Sequence, residues 1–181
     1  MNSFFVIVII VGYVFKVTIE FLNLRNLSPK LPEEGKGIYD EEKYKKSQEY
    51  YKANHDFSVL TSTFGMVIIL LMLYFNGFAY VDAFVRNYTD NLILMTLMFF
   101  GTLIVAFDVI QTPFSLYKTF VIEKKFGFNK TSVKTYILDK IKEYFLMMII
   151  GGGLLALIAW TYQLTGKYFW ILAWIAVSIF I

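Results

Sequence analysis

The sequence predicts an all-α fold: a multi-spanning helical membrane protein with four full spans, a truncated fifth, and two long helices that extend into the cytoplasm. Composition is the first observation behind this. Of 181 residues, 57% are hydrophobic and 19% aromatic, above the roughly 45–50% apolar content of soluble domains. Distribution is the second. The excess sits in five runs, at about residues 4–22, 57–75, 92–112, 144–162 and 168–181, with charged segments between them, the pattern of a chain that crosses a bilayer repeatedly. Charge placement is the third. Arg25, Lys30, Lys36, Lys43, Lys45, Lys46 and Lys52 fall in the connection 23–56, and Lys118, Lys124, Lys125, Lys130, Lys134, Lys140 and Lys142 in the connection 113–143, whereas only Arg86 and Lys167 mark the remaining connections. By the positive-inside rule the two basic connections are cytoplasmic and the N-terminus lies outside.

The first run has no basic segment before it and no small-x-small site after it, so it reads as an uncleaved span and not as a signal peptide. Lys16 and Glu20 lie four residues apart on one face of it. Either both snorkel to the interface near the helix end, or they form an inward-facing pair lining a wet cavity. In the connection that follows, Leu27 to Pro32 and Gly35 to Gly37 are loop chemistry. Asp40 can cap a helix with Glu41 and Glu42 in its first turn. No breaker stands between Tyr44 and the second run, which predicts one helix from Asp40 through the membrane. His55 sits near the entry point; a lone His without Cys or His partners is a poor metal site, and reads as structural or solvated, with a titrating role as the alternative.

Asn76-Gly77 ends or bends the second span, since residues 78–85 remain fairly apolar. Asn87-Tyr88-Thr89 fits a glycosylation acceptor, a pattern too common by chance to assign a function. The third run carries Asp108 and Gln111 near its end. A charge at mid-membrane costs about 2.5–3.5 kcal/mol on insertion scales, so Asp108 either reaches water or a basic neighbour, or faces an aqueous interior. Pro113 suits a helix end or kink. Phe120 to Ile122 favours extended backbone, or at least a packed apolar strip. Gly127, flanked by Phe126 and Phe128, suggests a turn pinned to another part of the protein. Thr131 or Ser132 can cap a helix through Val133, Ile137, Ile141 and Tyr144 that runs into the fourth span. Gly151-Gly152-Gly153 within that span permits close backbone approach or marks a local break. Gln163 to Lys167 makes a turn, and the fourteen residues of the last run reach only about 21 Å of the roughly 30 Å required. That run stops on apolar residues, so a truncated span is expected.

Chemistry is constrained by what is missing. The sequence has no Cys and a single His, so thiolate sites, disulfides and Ser-His-Asp logic have no material. A net charge of +3 is too small to imply nucleic acid. A carboxylate pair of Asp108 and Glu123 is conceivable for acid/base work, but no spacing brings them together, and no phosphate-loop pattern follows the glycines. No catalytic residue and no metal ligand is therefore assigned to this chain.

Tyr117, Thr119-Phe120-Val121-Ile122-Glu123 and Gly127-Phe128-Asn129, together with the Leu31-Pro32 loop and its follow-on Tyr39, Tyr44, Lys45 and Tyr50, resemble the N-terminal membrane region of type I CAAX prenyl proteases, integral-membrane zinc metallopeptidases. The resemblance spans nearly all of residues 1–181. The family's His-Glu-x-x-His motif and later Glu ligand are not matched, since His55 stands alone. The resemblance implies the front part of an enzyme in which a ring of seven membrane helices encloses a water-filled chamber. Zinc held by the downstream half would activate water there, with the motif Glu as general base. Zinc is then a cofactor of the full-length enzyme, with none bound by this portion. The implied partners are the lipid bilayer, the downstream catalytic half, and a peptide or lipidated-peptide substrate. The location is a bacterial inner membrane, or the endoplasmic reticulum in a eukaryote. Lys16, Glu20, Asp108, Gln111, Glu123 and Asn129 are the candidates for chamber-lining or inter-domain roles, with Phe120 to Asn129 expected to pack on the zinc-bearing half through Glu123. Two other classes compete: a scaffold or assembly protein whose Tyr- and Lys-rich loops dock a partner or anionic head groups, and a small transporter built on Asp108 and the triple glycine.

Overall fold

The computed structural model describes residues 3–25, 27–28, 30–32, 37 and 40–180. The expected loop residues Pro29, Gly35 and Lys36, and Tyr39 of the family-like loop, lie outside the described residues. Every regular element among the described residues is helical, as the apolar runs predict. α1 covers Ser3–Arg25, α2 Glu41–Tyr74, α3 Gly77–Arg86, α4 Leu92–Tyr117, α5 Lys124–Phe126, α6 Val133–Leu146, α7 Gly152–Thr165 and α8 Phe169–Phe180. π-helical segments join α4 to α5 (Lys118–Glu123) and α6 to α7 (Met147–Gly151), and a 3-10 turn at Gly166–Tyr168 precedes α8.

Local chemistry accounts for the boundaries. The Asp40 carboxylate accepts from the backbone N–H of Lys43 at 2.9 Å and starts α2, with Glu41 and Glu42 in the first turn against the helix dipole. α2 then runs 34 residues without interruption, so its polar first half and its apolar second half form the single helix expected. Asn76 takes the left-handed conformation at φ 55°, and the chain bends there into α3. Ser132 Oγ accepts from Thr135 N at 3.1 Å and caps α6.

Three expectations are corrected. Pro113 lies inside α4 and does not end it; the proline removes one backbone donor, yet helix propagation continues because nearby polar groups and local adjustments can satisfy the freed carbonyl in a membrane helix. Phe120 to Ile122 is π-helical, not extended, since adding residues to an existing helix costs less than leaving it; the alternative of a packed apolar strip is met at the buried Ile122. The segment 113–126 is thus helical, and the run Leu92–Phe126 is a single 35-residue stretch. Of the triple glycine, Gly152 and Gly153 face no atom within 4 Å of an added Cβ, and Gly151 faces only Met147 of its own helix. Among the described residues the glycines meet no close backbone approach, and the helix passes through them without a break, the π-helical turn ending at Gly151.

Four stretches, Ser3–Arg25, Glu41–Tyr74, Leu92–Phe126 and Val133–Leu172, are long and apolar enough to cross a membrane. Their apolar side chains are not gathered into a core. Among the described residues the buried hydrophobic ones are Val85, Ile122, Phe126 and Ala159, whereas Phe15, Leu60, Val109, Ile150 and Trp160 stand more than half exposed. Water does not tolerate such continuous apolar surface, which asks for lipid or for further protein. The helices group into two compact units, Met1–Phe78 with Val109–Thr131, and Ala79–Asp108 with Ser132–Ile181. Within the first, α1 lies along α2 and the π segment Lys118–Glu123 packs on α2; within the second, α6, the π segment Met147–Gly151, α7 and α8 contact in succession.

Candidate functional site

In the first unit, a polar seam joins α1 to α2. Lys16 and Glu20 are brought together by helical spacing, Nζ to Oε1 at 3.7 Å. Lys16 Nζ also donates to Ser62 Oγ, Ser58 Oγ donates to Glu20 Oε1 at 3.3 Å, and the Tyr13 and Thr63 hydroxyls share a hydrogen bond of 2.6 Å. Ser58 and Ser62 recur four residues apart, matching the spacing of Lys16 and Glu20, so that one face of each helix is polar. Glu20 Oε2 is buried without a hydrogen-bond partner among the described residues. The pair is therefore an interhelical one, with Lys16 half-exposed and Glu20 largely covered. Sequence spacing found Lys16 and Glu20 but not the serines, which are small hydroxyls inside an apolar run. Gln111 belongs to the same unit: its Nε2 lies 3.8 Å from where a Cβ on Gly65 would stand, so the amide sits against α2 at Gly65.

The same unit contains the aromatic turn. α5 ends at Gly127, whose φ of 80° is left-handed and easily reached only without a Cβ. The carbonyl of Glu123 accepts from the N–H groups of Phe128 at 2.9 Å and Asn129 at 3.2 Å, and Asn129 Oδ1 accepts from Thr131 N at 2.6 Å. Asn129 is thus a turn former. The expected pinning is supplied by Tyr50 of α2, whose ring centroid lies 5.3 Å from Phe126 and 4.6 Å from Phe128. Phe57 stacks on Tyr117 at 5.4 Å, and Phe114 meets Phe64 at 4.8 Å. The family-like block is therefore clamped to α2 by rings. Glu123 is half-buried beside this clamp.

In the second unit, Asp108 is held by Lys140 Nζ and by the Tyr144 hydroxyl, which both donate to its carboxylate. Lys140 Nζ is also 3.5 Å from Glu143 Oε2. Of the two readings of Asp108, the basic neighbour is the one present. Lys140 and Tyr144, one helical turn apart on α6, were not anticipated as its partners, because they lie more than thirty residues away in the chain. On α3, the exposed Asp82 accepts from Arg86 Nε at 2.7 Å, and this hydrogen bond pushes the guanidinium pKa up, keeping it charged.

A metal site is not built from these parts. No group of three His, Cys, Asp or Glu able to hold a metal occurs among the described residues. His55 Nδ1 lies 3.1 Å from Asp56 Oδ1, a pair of neighbours that lacks a third ligand. The residues present do not fit a zinc ion.

Comparison with known proteins agrees with the block clamped on α2. Residues 20–181 match the family described as CAAX prenyl protease N-terminal, five membrane helices. A CAAX prenyl protease 1 homolog of Dictyostelium discoideum is 32% identical over 157 residues, which are 84% of this chain and 37% of that protein. One of Arabidopsis thaliana is 32% identical over 176 residues, 91% of this chain and 41% of that protein. The crystal structure of S. mikatae Ste24p superposes with a TM-score of 0.82 at 27% identity, covering 94% of this chain and 42% of that one. The chain thus spans about two fifths of the length of these relatives. With its membrane-length helices, it is an integral multi-pass membrane protein. By the match over residues 20–181, the chain belongs to the CAAX prenyl protease N-terminal family.

Proposed function

We propose that this chain is the non-catalytic N-terminal half of a membrane-embedded zinc metalloendopeptidase of the CAAX prenyl protease type. It supplies part of the wall of an intramembrane chamber and the surface on which the zinc-bearing half docks. The observation that carries this reading is the likeness over 94% of the chain to about two fifths of a Ste24p structure. The exposed apolar surface supports it, because four helices with so little buried surface leave room for further helices. Lys16, Glu20, Asp108 and Gln111 are then polar groups of the wall, and Glu123 and Asn129 mark the docking face. The substrate is a membrane-associated peptide, lipidated in a eukaryote. Zinc chemistry is then assigned to residues outside this chain, no group of three His, Cys, Asp or Glu able to hold a metal being present among the described residues.

Reading the coding sequence past Ile181 tests this. An in-frame His-Glu-x-x-His is expected, and a stop codon there would sink the reading in favour of a scaffold. A second measurement is independent of the gene. The purified chain should take up no zinc tightly and cleave no prenylated peptide alone. Stoichiometric zinc binding would contradict the division of labour proposed.

A further inference from the structure

We infer that a pocket between α2 and the α4–α5 run binds a bilayer phospholipid, with one acyl chain in the pocket and the phosphodiester on Lys125. The cavity measures about 580 Å³, within the range of small-molecule sites. Its wall is aromatic: Phe57, Phe114, Tyr117 and Phe126. Asp56 and Lys125 are its charged residues. Asp56 Oδ1 lies against His55 Nδ1 at 3.1 Å. Lys125 Nζ stands 5.4 Å over the Phe126 ring and is the cation offered to an anionic group.

The level of the pocket suits a lipid. α2 is charged up to Asp56 and mostly apolar from Phe57; the α4–α5 run is mostly apolar up to Thr112, with Asp108 and Gln111 near that end, and carries Lys118, Lys124 and Lys125 beyond it. Both walls therefore change from apolar to charged at the pocket, with Lys125 as the basic residue on the lining, which is where a phospholipid changes from acyl chain to phosphate. Tyr117, half-exposed, has the amphipathic ring favoured at that boundary.

The space is also kept open by the backbone. Pro113 and the π-helical residues Val121 and Ile122 border it, and both features interrupt the regular ridges by which helices close on one another. An acyl chain fits such a wall better than a peptide does. The flanking helices have already satisfied their backbone groups, so a buried extended peptide would find no partners for its own N–H and C=O. An acyl chain has none to satisfy.

The test uses the purified chain in detergent with a limiting amount of phosphatidylcholine carrying a diazirine on one acyl chain. Cross-linked residues are read by mass spectrometry. Saturable labelling at Phe57–Leu60 and Phe114–Ile122 is expected, abolished by excess unlabelled phosphatidylcholine. Val121→Trp fills the cavity and should lower that labelling about tenfold, and Lys125→Gln about threefold. A diazirine fatty alcohol of the same chain length should label weakly and be indifferent to Lys125→Gln. Labelling of α1 as strong as that of the pocket and not saturable, or labelling by the alcohol equal to that by the phospholipid, would overturn the inference. If Val121→Trp does not fold by circular dichroism, the competition on the native chain decides alone.

Discussion

A carboxylate on a lipid-embedded helix persists only with partners, and Lys140 and Tyr144 are partners of Asp108. Removing the charge should unbalance the cation more than it relieves the helix. Asp108→Asn keeps an acceptor for Tyr144 but leaves Lys140 facing a neutral amide, and is expected to lower stability by about 1–2 kcal/mol, whereas Tyr144→Phe loses one interhelical bond worth about 0.6 kcal/mol. Unfolding in mixed detergent micelles measures both, and a Tyr144→Phe penalty equal to that of Asp108→Asn would mean that the ion pair adds nothing. Gly127 makes a different demand. Its φ of 80° and the 3.7 Å of room before Lys46 Nζ mean that Gly127→Ala fits in space but strains the backbone, at about 1–2 kcal/mol. A melting temperature unchanged in Gly127→Ala would show that the turn relaxes. Gly127 was legible from its Phe neighbours and Asp108 from its improbable setting. Their partners were not, because Tyr50 and Lys140 are remote in sequence and ordinary in type.

At the scale of elements, the legible features were those with a local cause. Asp40 and Ser132 each precede a helical pattern with a side-chain oxygen, and each caps the helix expected of it. Asp40→Ala should cost about 1 kcal/mol and fray the start of α2. Hydrogen exchange at the amides of Glu42 and Lys43 would then quicken while the amides of Leu70 to Leu73 hold; protection unchanged at both ends would show that Asp40 is dispensable. Helix interiors were harder to read. Pro113, Phe120–Ile122 and the triple glycine each carry a local preference against regular helix, and in each case the helix continues, twice as a π turn. Local preference of about 1 kcal/mol per residue, and about 3 kcal/mol for proline, is outweighed where leaving the helix would strand backbone groups, in lipid above all. That cost is invisible in residue-by-residue propensity, which is why the departures came out as π segments instead of breaks.

For the whole molecule, the bilayer replaces the buried core as the organising solvent, so the apolar runs predicted the architecture while burial inside the chain predicted little of it. An orientation can be proposed from charge. Seven basic residues lie in 23–56 and seven in 113–143, against one in each intervening connection, and by the positive-inside rule we propose that both basic segments face the cytoplasm. Lys43, Lys45, Lys46 and Lys52 ride on the polar half of α2 and Lys134, Lys140 and Lys142 on α6, so these charges are carried on helices and not on loops. A phosphatase or fluorescent reporter inserted after Lys140 should therefore report the cytoplasm, and one inserted after Arg86 the opposite side. Replacing Lys134 and Lys142 by glutamine, with Lys140 kept for Asp108, should weaken this orientation without altering helix content, since the bias resides in the charges. An external signal after Lys140 in the native chain would overturn the proposed orientation, and identical signals at both sites would require the membrane-length helix between them, Leu92–Phe126, to lie along the bilayer instead of across it.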